Sequence, residues 1–318
     1  MIELMAKIAD RYGLYDLHKN YTKKDQFYYD KSEISKVNID FYARPDIPEL
    51  KFEKSDSSDN YEYGTISFSS QVDGDGKDAV FYYATKNTKK PVNIIMIHGW
   101  RSKLNKLDNI FKEGIMQEGF NAYSYVLPYH LERAPQESAY NGEYFLTANT
   151  IRTLNAFKQA VSDIRALIRY IKDIKKETVY IIGLSLGGLV SNLVCEHEDV
   201  DALASLFYAN DLAYTIFHAT SGKYIKRDFV NNKFYEEQLS DCWKIINPSL
   251  SKPIIDKNKI LLVSGRYDEY VLPPDTNKLW EAWGRPQRYV YDCGHSGIVL
   301  LKKKIRDNTM KFLRGIEG

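Results

Sequence analysis

The run Gly183-Leu184-Ser185-Leu186-Gly187-Gly188 constrains the fold of this chain more than any other segment. Before it, Thr178-Val-Tyr-Ile-Ile182 is β-branched and apolar, as a strand would be; after it, Leu189, Val190, Leu193 and Val194 recur at helical spacing. A serine flanked by glycines at a strand-to-helix junction marks a turn too tight for a Cβ on either side. Such a turn lifts the hydroxyl clear of the sheet edge.

At 318 residues the chain is long enough for one large α/β domain with insertions. Charged residues make up 27% of it and nearly cancel, leaving +2, which gives no electrostatic reason to expect nucleic acid or an anionic membrane as partner. The three cysteines, Cys195, Cys242 and Cys293, lie far apart with no C-x-x-C pair, so neither a metal site nor a disulfide framework is expected. The N-terminus lacks a basic stretch followed by an apolar core, and no apolar run reaches the roughly 18 residues of a membrane span. A cytoplasmic protein is the expectation.

Along the chain, Ile2, Met5, Ile8, Ala9 and Tyr12 share one helical face, after which the segment to about Asn60 reads as polar and irregular. Residues 1–60 are therefore expected to form an N-terminal extension. A β-hairpin is predicted from Tyr63 to Ser69 and Ala79 to Ala84 around the turn Asp73-Gly74-Asp75-Gly76, with a third strand at Val92 to Ile97. Helical and strand periods then alternate: a helix from Leu104 to Glu118, a strand from Phe120 to Val126, and a long amphipathic helix marked by Ile151 through Ile171. Further strands are predicted at Ala202 to Tyr208, Ile260 to Val263 and Arg288 to Tyr291. Helices are predicted near Asp275 to Trp283 and from Ile298 to Phe312. This alternation implies a mostly parallel sheet with helices on both faces. Residues 210–258 interrupt it with Tyr214, Phe217, Tyr224, Phe229, Phe234, Tyr235 and Trp243, which reads as a cap inserted between two strands. Such a cap either packs on itself or forms an apolar roof over a ligand.

A serine hydroxyl needs a base within hydrogen-bond reach, and that base needs an acceptor to hold its tautomer. Asp268 follows the strand at Ile260, and His295 follows the next strand in Cys293-Gly-His-Ser-Gly297. Loops at the C-terminal ends of parallel strands gather on one edge, so Ser185, Asp268 and His295 are expected to converge. The Leu186 N–H, at the start of the helix after the serine, is one expected oxyanion donor. The Trp100 N–H, in the turn His98-Gly99-Trp100, is the other. Rivals exist for each role: Glu269 and Asp211 for the acid, and His18, His98, His130, His197 and His218 for the base. His98 is read as orienting the oxyanion turn. His130 and Arg133 are candidates for substrate binding, Arg133 through a bidentate grip on a carboxylate, with a salt bridge to Glu132 or Glu137 as its competing role.

In the order Ser185, Asp268, His295 and in the pair His98-Gly99, the sequence resembles the α/β-hydrolases from about Tyr61 to Leu313. That resemblance implies an eight-stranded-type, mostly parallel sheet over residues 61–318 and a serine hydrolase that needs no metal or cofactor. Leu127-Pro-Tyr-His-Leu-Glu-Arg133 is similar to esterase-like and dienelactone-hydrolase-like members. Cys293 departs from the small residue that many relatives carry before Gly-His. The expected reaction is hydrolysis of a small-molecule carboxylic ester through an acyl-enzyme. An amidase, a peptidase, an acyltransferase or a non-catalytic binding protein on the same fold remain as alternatives.

Overall fold

The computed structural model of the chain describes residues 2–19, 26–37, 39–58, 60–102 and 105–316. Leu104, where a helix was expected to begin, and residues 20–25 of the extension lie outside them.

Nine strands form one sheet: β1 Lys51–Ser58, β2 Tyr61–Phe68, β3 Ala79–Thr85, β4 Val92–Ile97, β5 Asn121–Tyr125, β6 Thr178–Leu184, β7 Ala202–Leu206, β8 Ile260–Gly265 and β9 Gln287–Tyr291. Their order is β1-β2-β3-β5-β4-β6-β7-β8-β9. The pairings β1 to β2, β2 to β3 and β3 to β5 are antiparallel, and every later neighbour is parallel.

The central strands are buried on both faces, which is why they read as continuous apolar runs rather than alternating ones. The period of two survives in where the side chains go. Ile95, Ile97, Ile181, Leu203 and Leu262 enter one core with Leu154, Phe157 and Ile164 of helix Thr150–Arg169. Ile94, Met96, Ile182, Ala204 and Val263 enter the other, with Phe111 of helix Asn105–Gln117 and Ile305 and Leu313 of helix Lys302–Arg314. Each such fully buried Leu, Ile or Phe contributes about 1.5–3 kcal/mol relative to exposure.

The extension is more ordered than the sequence suggested. Lys51–Ser58, expected to be irregular, is an edge strand, and all eight of its residues are exposed. A strand held by ladder hydrogen bonds, with neither face buried, leaves no hydrophobic alternation to read. Helix Ile2–His18 buries Ala6, Asp10 and Leu14. The apolar stripe on its other side stays in solvent, with Met5 64%, Ile8 58% and Tyr12 77% exposed.

Between β7 and β8 stand the helices Leu212–His218, Lys223–Asn231 and Glu236–Trp243, in the place expected for a cap. Its aromatics pack mainly among themselves and against the extension. Phe229 stacks on Phe234 and meets Trp243 edge-on, while Phe27 touches both Phe229 and Phe234.

Candidate active site

β6 is buried almost throughout and ends at Leu184. Ser185 then takes φ 58° and ψ −115°, and helix Leu186–His197 begins at the next residue. The turn is tight on both flanks. A Cβ at Gly183 would collide with the Gly187 main chain, and one at Gly187 would collide with the carbonyls of Ile97 and His98. The left-handed φ at Ser185 stores backbone strain of about 1–3 kcal/mol. It is held by the Ser185 N–H donating to Leu206 O at 2.9 Å and by the Ser185 carbonyl accepting from Leu189 N at 3.1 Å.

The three residues expected to converge do so. Ser185 Oγ lies 3.0 Å from His295 Nε2, and His295 Nδ1 lies 2.8 Å from Asp268 Oδ2. An ionised carboxylate only accepts, so Nδ1 carries the imidazole proton and Nε2 is left to receive the serine hydroxyl. Asp268, buried at 4% exposure, is fixed by two N–H donors at 2.8 Å, those of Tyr270 and Val271, both to Oδ1. The rival carboxylates are engaged elsewhere. Glu269 sits 3.5 Å from Arg11, and Asp211 caps helix Leu212–His218 through Tyr214 N at 3.1 Å while pairing with Lys278 at 3.0 Å.

The turn after β4 lies directly against the serine: a Cβ at Gly99 would stand 3.2 Å from Ser185 Cβ. His98 braces this turn from beneath. Its Nε2 accepts from Leu127 N at 3.2 Å, so Nδ1 is the protonated nitrogen and donates to Gly99 O at 2.9 Å. Burial pushes the His98 pKa down to about 4, so the ring stays neutral. Trp100 is anchored by its indole N–H, which donates to Gly142 O at 2.8 Å.

Ser185, His295, Trp100 and Leu186 line a cavity of about 570 Å³. From the cap it receives Leu212, Thr215, Ile216 and Ile225, and from helix Ile2–His18 it receives Gly13, Asp16 and Leu17. Leu212, Ile216 and Ile225 give its cap side an aliphatic part, Asp16, Lys19, Arg101 and Lys106 add charged groups to its lining, and none of the aromatics that marked the cap in the sequence lines it. A larger groove, about 730 Å³, runs along β1 to β3 near Lys54, Glu62 and Tyr170, away from these residues.

His130 and Arg133 do not line the cavity, contrary to their expected role in substrate binding. Arg133 is 1% exposed and grips Asp75 through Nε at 2.8 Å and Nη2 at 3.2 Å, while Nη1 reaches Asp163 at 3.0 Å. Neither Glu132 nor Glu137 is its partner; the charges come from the β2–β3 turn and the long helix. Asp163 also accepts from Ser70 Oγ at 2.6 Å and Tyr125 Oη at 2.8 Å, so the buried charges are well supplied with hydrogen bonds. A guanidinium saturated by two buried carboxylates has no valence left for a ligand. His130 is fully buried, its Nδ1 donating to Pro128 O at 2.8 Å and its Nε2 accepting from Arg101 N at 3.2 Å. It shapes the turn after Trp100 rather than meeting solvent.

Burial raises the Cys293 thiol to about 12, which removes it as a nucleophile at neutral pH. All three cysteines are free and buried. Among the described residues no cluster of three or more His, Cys, Asp and Glu is arranged to hold a metal, and no helix is long and apolar enough to cross a membrane.

One participant escaped sequence reasoning altogether. Asp10, on helix Ile2–His18, accepts from the main-chain N–H groups of His295 at 2.8 Å, Ser296 at 2.8 Å and Glu269 at 3.1 Å. The signal available was an aspartate on a helix whose apolar residues faced another way.

No protein-family model matches the chain. The uncharacterized protein YdjC of Bacillus subtilis (strain 168) is 45% identical over 112 residues, which are 35% of this chain and 97% of YdjC. The uncharacterized protein Rv2627c of Mycobacterium tuberculosis (strain ATCC 25618 / H37Rv) is 26% identical over 215 residues, 64% of this chain. The chain spans 50% of the length of that mycobacterial relative. Among solved structures, acetyl xylan esterase 1 from Thermoanaerobacterium sp. JW/SL YS485 superposes with a TM-score of 0.65 at 15% identity, covering 96% of this chain and 99% of the esterase. The Pyrococcus horikoshii acylaminoacyl peptidase does so with a TM-score of 0.54 at 10% identity, covering 85% of this chain and 41% of the peptidase. At these identities the likeness is one of fold.

Proposed function

This chain has the α/β-hydrolase fold and belongs to the family of Bacillus subtilis YdjC, and on that footing we propose that it is a serine hydrolase cleaving a small-molecule carboxylic ester through an acyl-enzyme. The observation that carries the reading is the continuous relay from Ser185 Oγ to His295 at 3.0 Å and from His295 to Asp268 at 2.8 Å, opening on a cavity.

In the first step Ser185 Oγ attacks the acyl carbon while His295 Nε2 takes the hydroxyl proton. The carbonyl electrons move onto oxygen, where the N–H groups of Trp100 and Leu186 receive the negative charge; each such donor is worth about 2.7–4 kcal/mol of barrier. Collapse of this intermediate breaks the ester bond, and His295 returns the proton to the departing alkoxide. Water then enters, gives its proton to His295 and attacks the acyl carbon, and the serine leaves with that proton. Asp268 remains ionised throughout, holding the ring in one tautomer and stabilising its protonated form. Amides and acyl transfer use the same machinery; the moderate size of the cavity, about 570 Å³, supports a small acyl ester.

Labelling with a fluorophosphonate, beside a panel of nitrophenyl esters and anilides, tests the reading. Covalent modification of Ser185 and ester turnover that vanishes in Ser185→Ala are the expected results. Folded protein that neither labels nor turns over any ester would defeat it.

A further inference from the structure

We propose that Asp10 is a positioning residue of this site, setting the distance between the imidazole of His295 and the carboxylate of Asp268 from a helix outside both loops. The inference rests on the serine-hydrolase reading of the site.

The N–H groups of the two loops are divided between two carboxylates. On the acid loop, Tyr270 and Val271 donate to Asp268 Oδ1, while the Glu269 N–H donates to Asp10 Oδ2 at 3.1 Å. On the histidine loop, the His295 N–H donates to Asp10 Oδ2 and the Ser296 N–H to Asp10 Oδ1, both at 2.8 Å. One carboxylate therefore ties the residue after Asp268 to the main chain of His295 itself. Bonds from N–H groups to an ionised acceptor are roughly twice as strong as neutral ones, and three of them converge on a fully buried group.

Two glycines show how closely the helix seats. A Cβ at Gly294 would collide with the Asp10 carboxylate, and a Cβ at Gly13, one helical turn further on, would collide with the Tyr270 hydroxyl. The Tyr270 ring in turn lies against His295, centroids 4.6 Å apart. The helix thus touches the histidine loop through Asp10 and the face of its imidazole through Tyr270. This also accounts for its orientation: the polar Asp10 is buried while Met5, Ile8 and Tyr12 are left in solvent.

The test uses the full chain carrying Asp10→Asn, which replaces one acceptor oxygen with an amide that faces backbone donors. A displacement of the imidazole by a fraction of an ångström is expected to lower kcat on nitrophenyl acetate by about 10- to 100-fold. KM is expected to change by less than about threefold, because Leu212, Ile216 and Ile225, which the cap lends to the cavity, stand on other elements than Asp10. The far-downfield proton resonance of the His295 Nδ1–H, shared with Asp268, is expected to vanish in folded Asp10→Asn and to persist in Ser185→Ala. Wild-type kcat with an intact resonance, or a lowered Tm as the sole effect, overturns the proposal. Should Asp10→Asn not fold, Gly294→Ala strikes the same contact from the loop side and is held to the same outcomes. If the wild-type protein hydrolyses no ester and Ser185 stays unlabelled, the hydrolase reading falls; the resonance, compared between wild type and Asp10→Asn, still decides the role of Asp10.

Discussion

The imidazole of His295 and the phenol of Tyr270 lie face to face, ring centroids 4.6 Å apart and planes within 15° of each other. A stack of this kind is worth about 0.5–1.5 kcal/mol beyond the area it buries. It restricts rotation of the imidazole about the axis that must keep Nδ1 on Asp268 and Nε2 on Ser185. Tyr270→Phe keeps the ring and is expected to keep kcat/KM; Tyr270→Ala frees the imidazole and is expected to lower it by about 2- to 10-fold. Equal rates in the two variants would contradict the bracing role.

Ser185 sits at φ 58°, a conformation that suits glycine better than serine. Ser185→Gly is therefore expected to lose ester turnover by at least about 10,000-fold while gaining about 1 kcal/mol of stability. Urea denaturation alongside the activity assay reads both effects. A variant less stable than wild type would show that the turn carries no strain.

Arg133 is buried between Asp75 and Asp163, and removing one member of such a cluster leaves uncompensated charge in the interior. Arg133→Met is expected to destabilise the fold by about 3–5 kcal/mol. The exposed pair Arg285 and Glu281, at 2.9 Å across the end of helix Pro273–Ala282, serves as contrast: Arg285→Met is expected to cost less than about 1 kcal/mol. Comparable losses in chemical denaturation would refute the distinction.

Acid should destabilise the protein through His98. Burial holds its folded value at about 4 against the ordinary 6.5, so between these limits the unfolded chain binds a proton that the native ring refuses. Stability then falls as pH drops from 6.5 towards 4, by about 3 kcal/mol in all for a gap of roughly 2.5 pH units. His98→Gln removes the titrating group, and its stability is expected to fall less steeply over that window. Parallel curves for wild type and variant would rule the effect out.

Selectivity for the acyl chain should follow the aliphatic residues that the cap lends to the cavity. Ile225 lines it, whereas Phe229 on the same helix is packed against Trp243. Ile225→Phe narrows the cavity and is expected to shift the ratio of octanoate to acetate ester hydrolysis by about 10-fold towards acetate, one or two methylenes' worth of binding. An unchanged ratio would place the acyl group elsewhere.

Much of the site was legible because its determinants are local. Gly183 and Gly187 flank Ser185 for a steric reason that any reader of the chain can recover; Asp268 follows a strand announced by its apolar run, and His295 follows one announced by the aromatic and β-branched Tyr289, Val290 and Tyr291. The cap was legible as an interruption, yet its role was not: Phe229, Phe234 and Trp243 fill its own interior, and the plainer Ile216 and Ile225 face the cavity. β1 escaped because a strand exposed along its whole length leaves no periodic trace.

What the sequence by itself determined is the alternation of strand and helix, the elbow at Ser185 and the loops that deliver Asp268 and His295. Apolar burial is non-directional, so it is written into the chain as a period, and a tight turn is written as glycine. What only the tertiary structure decided is the partner of each buried charge. Arg133 chose Asp75 and Asp163 over its neighbours Glu132 and Glu137, and Asp10 found the N–H of His295 at a separation of 285 residues. A buried ion is stable only where several oriented partners meet it, and that meeting is a property of three-dimensional position that no local pattern records.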